Sequence, residues 1–488
     1  MTKTTVAQRK MAGRMLPLVA ALGMMAGCSM IPTYERPAAP VAAAFPGGSS
    51  VAGSAGVASA NADMSWRDYF SDARLTQLIQ LALANNRDLR VAMLNVEQAR
   101  AQFQIRRADE LPTVNAAANA ARQPSVVNGK LANSFSVGLA VTSWEIDFFG
   151  RIASLKEQAL AQYLATEEGR RAAQMSLVAT VANSWLNLQA DEELLALTQQ
   201  TLATREESLK LTRLRFDNGA SSALDVRQAE SLTESARATL AQLQRQRALD
   251  ENALVLVLGQ GVPDGLLQKG GAPLSAVADF PQVPAGLPSD LLERRPDIRQ
   301  AEQQLVAANA NIGAARAAFF PRIALTATAG TASSHLSGLF KTGSWGFTLA
   351  PQMLLPIFDA GRNQAGLELA QASRDVAIAQ YEKAIQSAFR DVADALAGRA
   401  TLGEQLRAQR AQAEAESQRY QLSELRYRHG VASYLDMLDA QRSLFAVQQA
   451  VVQTRLAQLQ SQVGLYRALG GGWDRNTQVS QTSKSDPT

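Results

Sequence analysis

The chain has 488 residues, 47% hydrophobic, 19% charged and 6% aromatic, an ordinary globular composition that excludes disordered and collagen-like chains. One cysteine and two histidines (His335, His429) exclude a disulfide framework and any zinc cluster of Cys and His, and with them most thiol and metal enzymes. Four of the 48 Lys and Arg (Lys3, Arg9, Lys10, Arg14) precede any acid; the remaining 44 balance 44 Asp and Glu, so the body of the chain lacks the positive surplus that a nucleic-acid partner requires.

The first segment is an address. Those four cations, the apolar run Met15 to Ala26 and its small-residue end read as a signal peptide over residues 1–27, too short for a membrane span. The cut precedes Cys28 in Met25-Ala26-Gly27-Cys28, which resembles a bacterial lipobox, with Met25 where Leu is more usual. Cys28 is then the lipidated first residue, anchored by about 0.8 kcal/mol per buried methylene. Ser29, not an acidic residue, follows it, which resembles an outer-membrane sorting signal. Residues 28–62, with Pro32, Pro37, Pro40, Pro46 and a Gly/Ser/Ala tract, read as an extended tether. At about 3.1 Å per residue it reaches on the order of 100 Å.

The rest is written twice. Leu214-Arg215-Phe216-Asp217-Asn218-Gly219 and Leu224-Asp225-Val226 recur 211 residues on as Leu425-Arg426-Tyr427-Arg428-His429-Gly430 and Leu435-Asp436-Met437. Gly150-Arg151 and Gly361-Arg362 keep the same offset. The first repeat, 63–260, is expected to hold a helix, strands 113–123 and 134–144, and long helices 151–217 and 221–258. After a linker at 261–288, the second, 289–470, holds a helix, strands 322–330 and 344–354, and long helices 362–429 and 432–469, and a flexible tail, 471–488, ends the chain. Arg151 to Asp217 contains no proline and one glycine, about 100 Å of uninterrupted helix. Val181, Leu188, Leu195, Leu202, Leu209 and Phe216 recur every seven residues, a packing stripe for a supercoiling neighbour. Gly219 and Gly430 suit left-handed caps, so each long helix turns back in a hairpin.

All four strands alternate with period two, apolar on one face, small and nearly uncharged on the other. Phe135, Trp144 and Trp345 sit at strand ends like an interfacial girdle, and each segment is about ten residues, enough for a tilted strand to cross a bilayer. Loops of 124–133 and 331–343 separate the strands. Four strands are fewer than the roughly eight of the smallest membrane barrels, and an open edge in lipid costs several kcal/mol per unpaired group. The barrel is therefore shared between copies. A trimer closes strands and helices with one symmetry; the strand count leaves other numbers open.

Cys28 with Pro32-Thr33-Tyr34-Glu35-Arg36-Pro37, then Trp66-Arg67-Asp68-Tyr69-Phe70, Asn85-Asn86-Arg87-Asp88-Leu89-Arg90, Trp144-Glu145-Ile146-Asp147-Phe148-Phe149-Gly150-Arg151, Arg294-Arg295-Pro296-Asp297-Ile298 and Tyr434-Leu435-Asp436 follow in an order that resembles the TolC-like outer-membrane efflux protein family, lipoprotein branch of OprM and NodT type. The resemblance implies an α+β membrane protein: a homotrimeric outer-membrane β-barrel, four strands per protomer, continuous with a long periplasmic α-helical barrel. It implies a passive, porin-like exit duct for drugs or small amphiphiles, with a periplasmic adaptor and an inner-membrane pump of the resistance-nodulation-division class as partners. No cofactor is implied beyond the lipid on Cys28. Leu435 and Asp439 match an apolar and an acidic ring that constrict the periplasmic end, with Arg442, Tyr427 and Arg399 in polar ties. Asn218, Gly219, Ala220, His429, Gly430 and Val431 form the adaptor-contact tips. On their own residues, Arg294 to Asp297 read as a helix opening and His429 as a solvated tip residue. Export of protein (type I) or metal ions fits the same architecture, and a non-transporting coiled-coil lipoprotein fits the helices but not the strands. No phosphate loop, nucleophile elbow or metal-spaced pair points to an enzyme.

Overall fold

A computed structural model describes residues 29–46, 64–124, 129, 131–267, 274–281, 283 and 290–472; the signal peptide, Cys28 and most of the C-terminal tail lie outside the described residues. In chain order the elements are α1 (Trp66–Tyr69), α2 (Ala73–Asn85), α3 (Arg87–Ala108), β1 (Val114–Pro124), β2 (Leu131–Ile146), α4 (Arg151–Asp217), α5 (Ala223–Leu258), α6 (Asp290–Arg294), α7 (Pro296–Ala317), β3 (Arg322–Ser333), β4 (Trp345–Leu354), α8 (Arg362–Arg428) and α9 (Tyr434–Ala468). Among the described residues no helix is long and apolar enough to cross a membrane.

Several elements differ from the sequence expectation. Three helices, not one, precede the first strands, because Asp72 and Asn86 accept backbone N–H groups as caps and restart the helix. β2 and β3 are longer than 134–144 and 322–330, since backbone pairing carries on past the alternating residues. The first hairpin closes at Pro124↔Leu131, shortening the expected loop of 124–133, and β3 takes in the start of the loop expected at 331–343.

The chain forms two compact units that cut across its repeat. The first comprises Met1–Ala38, Asn95–Glu167 and Gln300–Lys383. Its sheet is antiparallel in the order β1-β2-β3-β4, so the repeats meet where Gly138 pairs with Gly330. Among the described residues β1 and β4 are edges with no strand partner, and none covers the apolar face of β4, where Phe347 is 72% and Met353 70% exposed. At the sheet's base Glu145 accepts from Arg151 (2.8 and 2.7 Å) and from Arg322 (2.7 Å). The recurring Gly-Arg pairs mark strand-to-helix corners: Asp147 accepts from Ala153 N at 2.8 Å, and Asp359 from Asn363 N at 2.9 Å.

Of the segment expected as a tether, Cys28 and residues 47–62 lie outside the described residues; residues 29–36, without helix or strand, run as a strap along α7. Arg36 makes a bidentate pair with Glu302 (2.7 and 3.0 Å), Tyr34 donates to the same carboxylate at 3.1 Å, and Asn309 donates to Pro32 O at 2.8 Å. Arg316 reaches Met30 O at 3.4 Å, so the strap runs toward the end of α7 from which the chain enters β3. Proline content described the backbone correctly but not its side-chain anchors.

The second unit comprises Ala39–Leu94, Glu168–Arg299 and Ala384–Thr488. The Trp66 to Phe70 motif is its aromatic nucleus. Tyr69 stacks on Tyr466 at 4.0 Å and donates its hydroxyl to Gln462 O, with Phe70 and Phe280 packed around it. Asn86 ties α3 to the end of α5 through Val257 O at 2.7 Å. The seven-residue stripe of α4 is buried at Val181, Leu188 and Leu195, half-buried at Leu202 and Leu209, and exposed at Phe216. Pro296 opens α7 as the residues suggested, and the buried Arg295 bonds Asp297, Asp391 and Ala468 O as a packing tie.

The strap passes close over α7 at Gly313: a Cβ there would lie 2.5 Å from Ser154 Oγ and 2.9 Å from Ile31 N. Gly313→Ala is expected to loosen the strap at a cost of about 1–3 kcal/mol. Hydrogen exchange at Ile31 and Thr33 should accelerate about tenfold while the strands keep their protection.

Candidate functional site

One device, used twice, builds the ends of the α4–α5 and α8–α9 hairpins. Gly219 and Gly430 stop the long helices with φ of 72° and 74°, the left-handed region open to glycine. Ala220 N then donates to Arg215 O at 2.8 Å and Val431 N to Arg426 O at 2.9 Å. Ser222 and Ser433 start the return helices with reciprocal caps: each hydroxyl accepts from the backbone of Asp225 or Asp436, whose carboxylate accepts from the serine N–H. The repeated Leu-Asp pairs are therefore caps. Burial opposes it, but the donors of Ser222 and Ser221 hold the Asp225 carboxyl below its ordinary value.

All six expected tip residues, Asn218, Gly219, Ala220, His429, Gly430 and Val431, are exposed. Arg215, which the sequence reading passed over, joins the two ends. It donates to Tyr427 O at 3.2 Å and Arg428 O at 3.0 Å and lies 4.5 Å over the Tyr427 ring. Its place opposite Arg426 in the repeat was the available signal.

The first turns of α9 have two unlike faces. Tyr434, Met437 and Leu438 pack with Tyr427, Ala229 and Leu232 in one apolar cluster. Leu435, Asp439 and Arg442, spaced by four and three residues, share the exposed face, with Leu435 57% exposed. Asp439 pairs with Arg419 of α8, which also holds Glu416 at 3.1 Å. Arg419 was also missed, because only the helix register brings it opposite Asp439. Burial, and then the charge of Arg442, hold the guanidinium of Arg205 below its ordinary value.

Tyr427 and Arg399 have the following contacts within the protomer. Tyr427 is held by its ring, 5.4 Å from that of Tyr434, and its buried hydroxyl makes no hydrogen bond. Arg399 donates to Val283 O at 3.3 Å and lies opposite the stretch of α9 between Thr454 and Ser461, far along that helix from Asp439. Among the described residues, no three His, Cys, Asp or Glu side chains converge as a metal site.

A sequence profile described as "Outer membrane efflux protein" matches residues 78–260 and 287–471. The antibiotic efflux pump outer membrane protein ArpC of Pseudomonas putida is 48% identical over 470 residues, 95% of this chain and 96% of that one. A crystal structure of a membrane protein from Pseudomonas aeruginosa superposes with a TM-score of 0.84 at 46% identity, covering 93% of this chain and 100% of that one. The open state of the Neisseria gonorrhoeae MtrE outer membrane channel superposes with a TM-score of 0.83 at 43% identity, covering 92% of this chain and 100% of that one. The fold is that of TolC-like trimeric outer-membrane channels; the matched proteins are channels, not enzymes.

Removing either cap, Ser222→Ala or Ser433→Ala, is expected to cost about 1 kcal/mol locally. Amide exchange in the first turn of α5 or α9 should rise about fivefold, with the aromatic nucleus around Tyr69 unchanged.

Proposed function

The chain belongs to the outer membrane efflux protein family, and on that basis we propose that it is the outer-membrane exit duct of a tripartite efflux system, passing drugs or small amphiphiles outward from a periplasmic adaptor and an inner-membrane pump of the resistance-nodulation-division class. The observation that carries this reading is the sheet of four strands with two unpaired edges and an uncovered apolar face. In lipid those edges need partners, so three copies close a twelve-stranded barrel and set their helices around one axis. A relative matched over nearly the whole chain, ArpC of Pseudomonas putida, is an antibiotic efflux pump outer membrane protein by name, which favours small molecules over protein or metal ions as cargo.

The duct has no catalytic role or cofactor. Cys28 carries the lipid. The strap supports this, because it clamps the residues just after Cys28 along α7 toward its β3 end, where an acyl anchor belongs. The exposed tips are the adaptor contacts. Leu435 and Asp439 form the closing rings, each repeated by threefold symmetry, with Arg419 holding Asp439 and Arg442 beside it; three converging carboxylates make a cation-selective constriction. Arg215 and Tyr427 keep the two hairpin ends together.

Deletion of the gene in its host should increase accumulation of a fluorescent efflux substrate, and the wild-type copy should reverse it, with Cys28→Ala measuring the weight of the lipid. No change across several substrate classes, with the pump expressed, overturns drug efflux. In planar bilayers Asp439→Ala should raise single-channel conductance and weaken cation preference. Unchanged conductance in correctly inserted protein would remove Asp439 from the gate.

A further inference from the structure

A cavity of ≈ 300 Å³ lies within the second unit, between α4, α5 and α9. Its polar lining is Asp191 and Asp250 with the amides of Asn187, Gln246 and Gln453. Asp191 is only 7% exposed, and its Oδ2 is buried with no hydrogen-bond partner. Asp250 accepts a bond from Gln246 at 3.2 Å. An unpaired, water-excluded carboxylate oxygen facing a second carboxylate is costly unless a positive charge joins them.

We propose that this cavity is a binding site for a hard divalent cation, Ca²⁺ or Mg²⁺, held by Asp191 and Asp250 with amide oxygens from the lining and water completing its shell. Oxygen-only donors of this kind suit such cations and no softer metal. The surrounding charge favours a cation over a lone shared proton. The runs Asp191-Glu192-Glu193 and Asp250-Glu251 place five carboxylates near only Arg245 and Arg247. Arg247 is engaged by Glu192 and by Glu251 at 2.8 Å, Glu193 accepts from Ser275 N at 3.2 Å, and on α9 Arg455 is drawn to Asp279 at 2.6 Å. The charge of Arg247 reaches Asp191, but its hydrogen bonds go to Glu192 and Glu251. With two carboxylates rather than three or four, affinity falls at the weak end for such sites, about 0.1–1 mM.

Protons compete for the same oxygens, because a carboxylate must be deprotonated to hold a metal ion, so binding weakens as pH falls.

The test is calorimetric titration of CaCl₂ and of MgCl₂ into the chelator-treated full-length protein in detergent at pH 8 and pH 5.5, with thermal unfolding in parallel. The expected result at pH 8 is one ion per chain with Kd of about 0.1–1 mM. Binding should weaken at least about tenfold in Asp191→Asn or Asp250→Asn and at pH 5.5. The cation should raise the unfolding temperature of wild type but not of the near-isosteric double variant, whose parallel unfolding curve reports whether it folds. Absence of saturable binding by either salt at pH 8, or equal binding by a folded double variant, overturns the proposal. A double variant more stable than wild type at pH 8, with no cation effect on wild type, also overturns it and leaves a shared proton in the cavity.

Discussion

The unpaired edges of β1 and β4 are the constraint on which the rest depends. A strand edge in water exchanges one hydrogen-bond partner for another, but in a bilayer there is no second partner, and each bare group costs several kcal/mol. A protomer with four strands cannot remove that cost by itself. Assembly is then a requirement of backbone hydrogen bonding, and apolar side chains such as Phe347 and Met353 can stay exposed in the protomer because lipid is their solvent.

The compact units cut across the repeat for a related reason. Each takes matching pieces from both halves, so neither half builds a core by itself. The sheet needs β3 beside β2, and the aromatic nucleus needs Tyr466 from the second half against Tyr69 from the first. Most of the motifs that made the chain recognisable prove to be joints between elements: Asn86 on Val257, Arg151 on Glu145, Arg295 on Asp391, with Arg322 crossing from the second half to Glu145. The residues left exposed at the hairpin ends and along one face of α9 are those free to meet another molecule.

The strap shows what composition leaves open. Prolines and small residues describe a segment that cannot build a core, and residues 29–36 build none. They are nonetheless fixed, because Arg36, Tyr34 and the backbone at Pro32 find Glu302 and Asn309, more than 260 residues away in sequence. The hairpin ends are the opposite case. A glycine cap followed within three residues by a serine and then an aspartate is local chemistry, and both turns were legible from the residues alone.

Periodicity and the repeat were enough, by themselves, to indicate the four strands, the two very long helices, their glycine-ended hairpins and the shortage of strands that forces assembly, because each depends on residues close in sequence or on backbone hydrogen bonding that no side chain alters. Only the tertiary structure decided that Asp439 meets Arg419, that Arg399 lies elsewhere along the hairpin, that Arg215 crosses to α8, and that Asp191 and Asp250 face one cavity. Those contacts follow from helix register. A shift of one residue turns a side chain by about 100° around its helix, and the sequence holds no mark of which neighbour will be level with it.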